Sequence, residues 1–161
     1  MNSSDLEKKA NQYAEMAGIQ IVSRLGYGTD GTVFETDRET AVKVVERERN
    51  YLHELQCYQR LKLKKITNLR GFSIPWLLGH NDPLMVIEMS IVTAPYLIDF
   101  GKAYIDERPD PMWQSQFEVE GRENFGDRWP VVRSLLGLLE LHGIYYLDPK
   151  PGNIKFQDEQ P

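Results

Sequence analysis

The sequence is poor in the features that would place it in several large classes of protein. It has one cysteine, Cys57, among its 161 residues. A single cysteine excludes an intrachain disulfide and a cysteine-based zinc site, and it favours the reducing cytoplasm. No apolar run approaches the roughly 18 residues of a membrane span, and the polar N-terminus lacks the apolar segment of a secretory signal. Basic residues are also few, since 19 against 24 acidic ones give a net charge of -5. We therefore expect neither nucleic acid nor a membrane as a partner.

What the chain does have is the composition of a folded protein, with 41% hydrophobic and 27% charged residues. Its length fits one domain, or two small lobes that share a cleft. Ser4 and Glu7 have the spacing of a capping box, which predicts a helix that ends at Gly18. Alternating apolar residues then predict five strands, with one long helix between the third and the fourth. The predicted strands are 19–25, 32–36, 40–45, 74–78 and 84–89, and the helix is 47–65.

The second half of the sequence is less regular. Residues 90–95 are predicted to form a connector, because Pro95 disfavours helix at the residue before it. The polar stretch 106–128 predicts a loop or a weak helix. Pro130, followed by a leucine-rich run, predicts a buried helix that ends near Gly143.

Three glycines lie in the turn of the first predicted hairpin, over 26–31. Residues 26–33 have the form G-x-G-x-x-G-x-V between two strands. Glycines let a backbone approach phosphate groups closely and present N–H groups to them. A dinucleotide-binding fold needs a helix after the glycines, whereas a strand is predicted here. A plain glycine hairpin is the alternative interpretation.

A lysine and a glutamate form a second candidate pair. Lys43 lies amid apolar residues of the third strand, where it either faces a cleft or is an edge residue. Glu54 lies on the following helix, where a glutamate is usually solvated. Together the two could form an ion pair that aims an ammonium group at the phosphates of a nucleotide.

The strongest local signal is the string D-P-K-P-G-N-I over 148–154. Phosphoryl transfer needs a carboxylate that takes a hydroxyl proton, a cation near the transferring group and a metal ligand beside them. Asp148, Lys150 and Asn153 supply these three types within one turn. The alternative is a polar turn that caps a helix.

These motifs and their order resemble those of the protein-kinase-like superfamily. The resemblance covers about 19–89 and 131–156. The resemblance implies an α+β, two-lobed fold with a five-stranded antiparallel upper lobe and a strongly reduced lower lobe. The implied division is an N-terminal helix over 1–18, an upper lobe over 19–89 and a lower lobe over 90–161. It also implies that the protein binds ATP and magnesium and acts as a phosphotransferase of the Ser/Thr protein kinase type.

The resemblance assigns roles to particular residues. It implies that Asp148 is the catalytic base, Lys150 a phosphate contact and Asn153 a magnesium ligand. The backbone at Glu88 and Met89 would pair with adenine. The remaining nucleotide contacts that it implies are Gly26, Gly28, Gly31, Val33, Ala41 and Lys43, with Glu54 as the partner of Lys43.

Two departures from the family pattern shape the expectations for the lower lobe. The catalytic-loop signature His-Arg-Asp is replaced by Y-L-D over 146–148. Eight residues follow Asn153 in the sequence, so we expect no metal-binding D-F-G at its usual place, no activation segment and none of the later helices.

A D-F-G does occur earlier, as residues 99–101 after the apolar triplet 96–98. We predict that the lower lobe is permuted. Residues 96–98 would form a strand paired with 154–156, and Asp99 would meet Asn153 around a magnesium ion. The alternative is a chance occurrence of the motif with Asp99 solvated.

Two alternatives to catalysis stay open at this point. One is a pseudokinase that binds a nucleotide or a partner without turnover. The other is an interaction module that has also lost nucleotide binding. The phosphoryl acceptor is a protein or a small molecule.

Overall fold

The computed structural model describes residues 2–158, and in this range the chain forms four α-helices and eleven strands. Residues 1 and 159–161, which belong to the predicted ranges 1–18 and 90–161, lie outside the described residues. The helices are α1 (Ser3–Ala17), α2 (Glu48–Leu63), α3 (Pro111–Phe125) and α4 (Trp129–Glu140). The strands are β1 (Ile21–Gly28), β2 (Gly31–Thr36), β3 (Thr40–Val45), β4 (Asn68–Leu69), β5 (Phe72–Ser73), β6 (Leu77–Asn81), β7 (Val86–Ser90), β8 (Tyr96–Leu97), β9 (Ala103–Ile105), β10 (Ile144–Tyr146) and β11 (Ile154–Lys155).

Five strands form an antiparallel sheet in the order β1-β2-β3-β7-β6. The middle strand β3 is buried at every position from 41 to 45, because both faces of the sheet are covered. Val42 and Val44 pack under α1, whereas Ala41 and Val45 face the core shared with α2. The predicted five-stranded antiparallel sheet with one helix inserted after the third strand is therefore confirmed.

Helix α1 covers the outer face of this sheet. Its apolar stripe packs on the sheet through Leu6, Ala10, Tyr13 and Ala14. The capping box at Ser4 predicted the beginning of the helix slightly too late, since the helix begins at Ser3 and its cap lies two residues before Ser4. Asn2 is the N-cap, because its side chain accepts a hydrogen bond of 2.9 Å from the backbone N–H of Asp5. The end was predicted correctly, since Gly18 adopts a left-handed conformation with φ of 70°.

The fourth predicted strand, 74–78, was placed too early, since β6 begins at Leu77. Ile74 and Pro75 are buried in an extended segment before it. Pro75 has no backbone N–H to donate to a ladder, so burial there does not imply strand pairing. Strands β4 and β5 were not predicted, because two residues are too few to show a period of two.

A second sheet brings distant segments together in the order β11-β8-β5-β4. Strand β8 pairs antiparallel with β11, with Leu97 opposite Ile154 and Tyr96 opposite Lys155. This is the pairing predicted for residues 96–98 and 154–156, and it is confirmed. Strand β5 joins the same sheet, so segments on both sides of residue 89 contribute to it, and the division into lobes at that residue stays a prediction.

Of the two alternatives predicted for 106–128, a loop or a weak helix, the structure supports the helix, since most of that stretch is α3. Asp110 caps the helix by accepting a hydrogen bond of 2.9 Å from Met112 N–H. Most α3 side chains are exposed, so the sequence has little helical periodicity there. Gly121 is needed, because a Cβ at this position would lie 2.4 Å from the Trp129 ring of α4.

The core runs without interruption from the upper sheet into the lower part of the molecule. Phe100 lies in its middle and is fully buried. Its ring packs edge-on against Tyr58 of α2 and Tyr146 of β10, with centroids 5.1 and 5.4 Å apart. Phe100, the residue after Asp99, therefore packs between the upper and the lower part of the molecule. Among the residues described, no helix combines the length and apolarity that crossing a membrane would need.

Candidate functional site

The predicted ion pair between Lys43 and Glu54 is present. Lys43 Nζ lies 2.8 Å from Glu54 Oε2 and 3.0 Å from Oε1. The two side chains are only 9% and 1% exposed. Strand β3 presents Lys43 on the face that α2 crosses, and Glu54 is on the buried stripe of α2. A buried pair of this kind is held by its geometry, because each charge would be costly in the interior without the other.

Asp99 joins this pair. Its Oδ1 lies 3.3 Å from Lys43 Nζ and accepts a hydrogen bond of 3.2 Å from Gly101 N–H. Its backbone is left-handed, with φ of 65°. Aspartate tolerates this conformation better than most residues do. Asp99 is therefore not the solvated residue of the alternative interpretation.

The charges of the three side chains act on one another. Burial by itself would lower the pKa of Lys43, but the carboxylates of Glu54 and Asp99 outweigh it and raise that pKa above its usual value. Burial would raise the pKa of Asp99, but Lys43 and the Gly101 amide hold it below its usual value. Burial and the Asp99 charge keep the pKa of Glu54 raised despite Lys43. One buried ammonium thus faces two carboxyl groups, which leaves room in the charge balance for a further cation.

The D-P-K-P-G-N turn lies between β10 and β11. Lys102 Nζ and Lys150 Nζ each lie 3.2 Å from Asp148 Oδ2. The Asp148 side chain is 31% exposed. Within residues 2–158, Asp148 Oδ1 has no hydrogen-bond partner. The turn is closed by a bond of 2.9 Å from Asn153 N–H to the Lys150 carbonyl.

Asn153 lies on the segment next to Asp99. Its carbonyl accepts a hydrogen bond of 2.9 Å from the N–H of Ile98, the residue before Asp99. The Tyr146 hydroxyl donates to the Ile98 carbonyl at 2.7 Å, and the Asn153 side chain hydrogen-bonds to the same hydroxyl. The paired strands β8 and β11 thus bring the two candidate metal ligands onto adjacent segments.

The donor types fit magnesium, because carboxylate and amide oxygens are the hard ligands that this ion takes. Among the described residues, however, no group of three His, Cys, Asp or Glu side chains is arranged to hold a metal ion. A magnesium ion would therefore need further oxygens from phosphate groups and water, which is its usual mode of binding. The metal role of Asp99 and Asn153 stays a prediction.

The three glycines of the first hairpin have different structural needs. The strand continues through Gly28, so the turn is shorter than the predicted 26–31 and consists of Thr29 and Asp30. Gly31 has φ of 150°, and a Cβ there would lie 2.1 Å from the Val44 carbonyl oxygen. At Gly26 and Gly28 a Cβ would meet nothing within 4 Å. Packing thus explains Gly31 and leaves the other two free for a ligand.

The other proposed nucleotide contacts lie around this hairpin. Val33 of β2 is half-buried against the core, and Ala41 of β3 is buried. Glu88 and Met89 lie in β7, between β3 and β6 in the sheet. The Glu88 side chain turns to the outer face, where it accepts hydrogen bonds from Tyr13 at 2.8 Å and Thr40 at 2.7 Å.

The backbone groups predicted to pair with adenine belong to strand β7, which is an inner strand of the sheet. Backbone groups of an inner strand are directed at the neighbouring strands. The chain leaves the sheet only after Ser90. The adenine-pairing role of Glu88 and Met89 therefore stays a prediction.

Sequence reasoning missed Lys102, which contacts Asp148. The signal was available, since Lys102 directly follows the D-F-G motif at 99–101. It also missed a hydrogen bond that holds the glycine turn. Asn50 Nδ2 donates this bond to Asp30 Oδ1 at 2.7 Å. This bond fixes the turn to the first part of α2.

Two cavities lie in the lower part of the molecule, away from Lys43 and Asp99. One of about 660 Å³ is lined by the end of α3 and the start of α4. The other, of about 330 Å³, lies between α3, α4 and β10, and Tyr146 and Leu147 are part of its wall. The second cavity thus reaches the residues that precede Asp148.

The chain is similar to proteins of known structure. No protein-family model and no curated protein sequence matches the chain. The chain is similar to the ADP-bound aminoglycoside phosphotransferase APH(2'')-Ib, with a TM-score of 0.41 and 16% identity over 78% of this chain and 36% of that one. It is also similar to APH(2'')-IIa in a ternary complex with streptomycin and ATP, with a TM-score of 0.40 and 15% identity over 78% of this chain and 36% of that one. Similarity this low says nothing about activity, and the chain spans little more than a third of the length of these proteins.

The architecture agrees with the arrangement that the sequence resemblance implied for the upper part of the molecule. The antiparallel sheet has five strands, a helix follows its third strand, and a buried lysine on that strand pairs with a glutamate on the helix. Below the sheet the described residues form α3, α4 and short strands. The α+β fold class predicted from the sequence is confirmed.

Proposed function

We propose that the protein binds ATP and transfers its γ-phosphoryl group to a hydroxyl of a protein or small-molecule acceptor. The observation that carries the proposal is the contact of Asp99 with the buried Lys43–Glu54 pair. It gathers a phosphate-binding cation and a candidate metal ligand from a strand and a distant segment. The hydrogen bond from Gly101 N–H and the left-handed backbone conformation of Asp99 hold its carboxylate beside Lys43.

In the proposed reaction, the acceptor oxygen forms a bond to the γ-phosphorus while the bond from that phosphorus to the β–γ bridging oxygen breaks. ADP leaves, and the acceptor proton passes to the Asp148 carboxylate. Oδ1 of Asp148, which has no partner among the described residues, is the oxygen suited to accept it. Lys150 and Lys43 would neutralise charge on the phosphates.

Magnesium would be held by Asp99 and Asn153. When bound, the ion neutralises phosphate charge and orients the nucleotide. Asp99 is ionised in the ion pair with Lys43, so its carboxylate is ready to bind a cation. The remaining ligands would come from the nucleotide and water.

A second candidate function is nucleotide binding without turnover. Two lysines hold Oδ2 of Asp148, and the residues before it are Tyr146 and Leu147 instead of the usual His-Arg. With both lysines in place, Oδ2 is not open to an acceptor hydroxyl. In that case the protein would act as a nucleotide-dependent binding module.

The two functions are distinguished by titrating thermal unfolding with ATP, with and without magnesium, and by measuring ATP turnover. Wild type is expected to be stabilised more with magnesium present. Asp99→Asn is expected to lose this magnesium-dependent part and keep the rest. No shift with any nucleotide in wild type would overturn both candidates.

Two variants then test the roles of the lysine and the base. Lys43→Ala should weaken ATP binding about tenfold or more, because a charge-assisted hydrogen bond contributes about 1.5–3 kcal/mol. Asp148→Asn should lower turnover by about a hundredfold or more with ATP affinity retained, since general-base catalysis contributes on that order. Equal turnover in Asp148→Asn removes this residue from the mechanism, and no turnover in wild type favours the binding module.

Folding must be controlled in the lysine variant. Lys43→Ala leaves Glu54 buried without its closest partner, which destabilises the fold. The double variant Lys43→Met with Glu54→Leu removes both charges and is the matched control. It should fold and should still bind ATP poorly.

A further inference from the structure

The position of Lys102 in the sequence does not explain the carboxylates that act on its ammonium group. Lys102 lies between Gly101 and β9, as the last residue of the short turn that leads into that strand. Its ammonium lies 3.2 Å from Asp148 Oδ2, and its side chain is 44% exposed. The charges of Asp30 and Asp99 also act on it and, with Asp148, raise its pKa. Lys102 thus contacts the carboxylate of Asp148, and the charges of two further carboxylates from other segments act on it.

These three carboxylates mark the elements of the candidate site. Asp30 is in the glycine turn, Asp99 precedes the buried Phe100, and Asp148 is the candidate base. The Lys102 ammonium contacts the candidate base, and Lys102 directly follows the segment that positions Asp99, so the side chain is suited to reach the terminal phosphate of a nucleotide held by these residues. It is also free to move, because a surface ion pair is weak.

Accordingly, we propose that Lys102 is a nucleotide-binding residue that leaves Asp148 when ATP binds and contacts the γ-phosphate. The inference rests on the proposed function, since it needs a nucleotide in this site. Lys102 contributes one cation to the phosphates, and its departure removes one of the two lysines that contact Oδ2 of Asp148. It adds to the contacts of Lys43 and Lys150, and it discriminates ATP from ADP because only ATP has the terminal phosphate.

A purely structural role for Lys102 explains less. Its only direct partner within residues 2–158 is the half-exposed carboxylate of Asp148. Arg60 and Asp106 already join α2 to the loop after β9 with two bonds, of 2.6 and 2.8 Å. Phe100 anchors the preceding segment in the core. The fold therefore does not need the ammonium.

The test compares the affinities of ATP, ADP and AMP by calorimetric titration in the presence of magnesium. The proteins are wild type, Lys102→Ala, Lys102→Arg and Lys64→Ala. Lys64 is the matched control, since it is an exposed lysine at the end of α2. Lys102→Ala should lose about tenfold in ATP affinity, as expected for one charge-assisted contact, with ADP and AMP affinities changed by less than about twofold. Lys102→Arg should keep part of the preference for ATP.

Each outcome decides the matter. A preference for ATP over ADP that falls in Lys102→Ala and not in Lys64→Ala supports the inference. An unchanged preference, or equal losses for ATP and ADP, overturns it and leaves the proposed function standing. The absence of any nucleotide binding by wild type overturns both. The unfolding temperature without nucleotide should be the same in all four proteins, and a large drop confined to Lys102→Ala would show a structural role and overturn the inference.

Discussion

Asp99 is bound to the rest of the molecule through its carboxylate, which contacts Lys43 Nζ, and through its neighbour Phe100, which is buried. Because Lys43 and the Gly101 amide lower its pKa, the folded state prefers Asp99 ionised more strongly than the unfolded state does. Its contribution to stability is therefore present above the unfolded pKa of about 4 and is lost as the pH falls through the lower folded pKa.

Asp99→Asn should remove this contribution while keeping the shape of the residue, since asparagine tolerates the left-handed backbone as well. Urea unfolding of the two proteins from about pH 6 to about pH 3 should show wild type more stable at the upper end. The difference should shrink as the pH falls. A difference in free energy of unfolding that stays constant over this range would contradict the ion pair as its source.

At the level of elements, the β1–β2 hairpin separates structural from functional glycines. Gly31→Ala should destabilise the protein by about 1–3 kcal/mol, because overpacking of this kind costs that much and the Val44 carbonyl must move. Gly28→Ala should leave the unfolding midpoint nearly unchanged, because nothing lies within 4 Å of its added Cβ.

For nucleotide binding, the informative variant is Gly28→Ala. If the hairpin covers phosphates, Gly28→Ala should weaken ATP binding although it leaves stability intact. Thermal unfolding with and without ATP measures both quantities in one series. ATP binding that is equal to wild type in Gly28→Ala would indicate that the turn is only a hairpin.

At the level of the whole molecule, one continuous core joins the upper sheet to α4 and β10. A core that is shared in this way predicts that the described parts unfold together. Leu139 of α4 is fully buried in this core. Leu139→Ala should lower the free energy of unfolding by about 2–5 kcal/mol and move a single transition as a whole.

Calorimetry and near-ultraviolet circular dichroism are suited to this measurement, because the first follows the whole molecule and the second sums over Trp76 in the upper part and Trp113 and Trp129 in the lower part. Their transitions should coincide in wild type and in the variant. Met112→Ala, at an 87% exposed position, is the control and should have almost no effect. A transition that splits in Leu139→Ala would show that the two parts are separate folding units.

Much of the upper part could be predicted from local sequence. The strands of the hairpin, the buried stripe of α2 and the end of α1 at Gly18 follow from spacing and from backbone preferences that neighbouring residues express. The Lys43–Glu54 pair was predictable for the same reason, because a strand and the next helix are close in the chain. For the stretch that contains α3 the prediction left loop and weak helix open, because its side chains are mostly exposed and its glycine is explained only by the Trp129 ring.

The sequence by itself determined the charge balance, the five-stranded sheet with its crossing helix, and the residue types of the candidate site. The pairing of β8 with β11 was predicted from the D-F-G motif and the family resemblance, whereas only the tertiary structure decided that Asp99 turns towards Lys43 and that Lys102 reaches Asp148. The physical reason is separation along the chain. Lys43 and Asp99 are 56 residues apart, and Lys102 and Asp148 are 46 apart. Contacts of that range are made by packing around Phe100 and by strand pairing, which no local pattern of residues encodes.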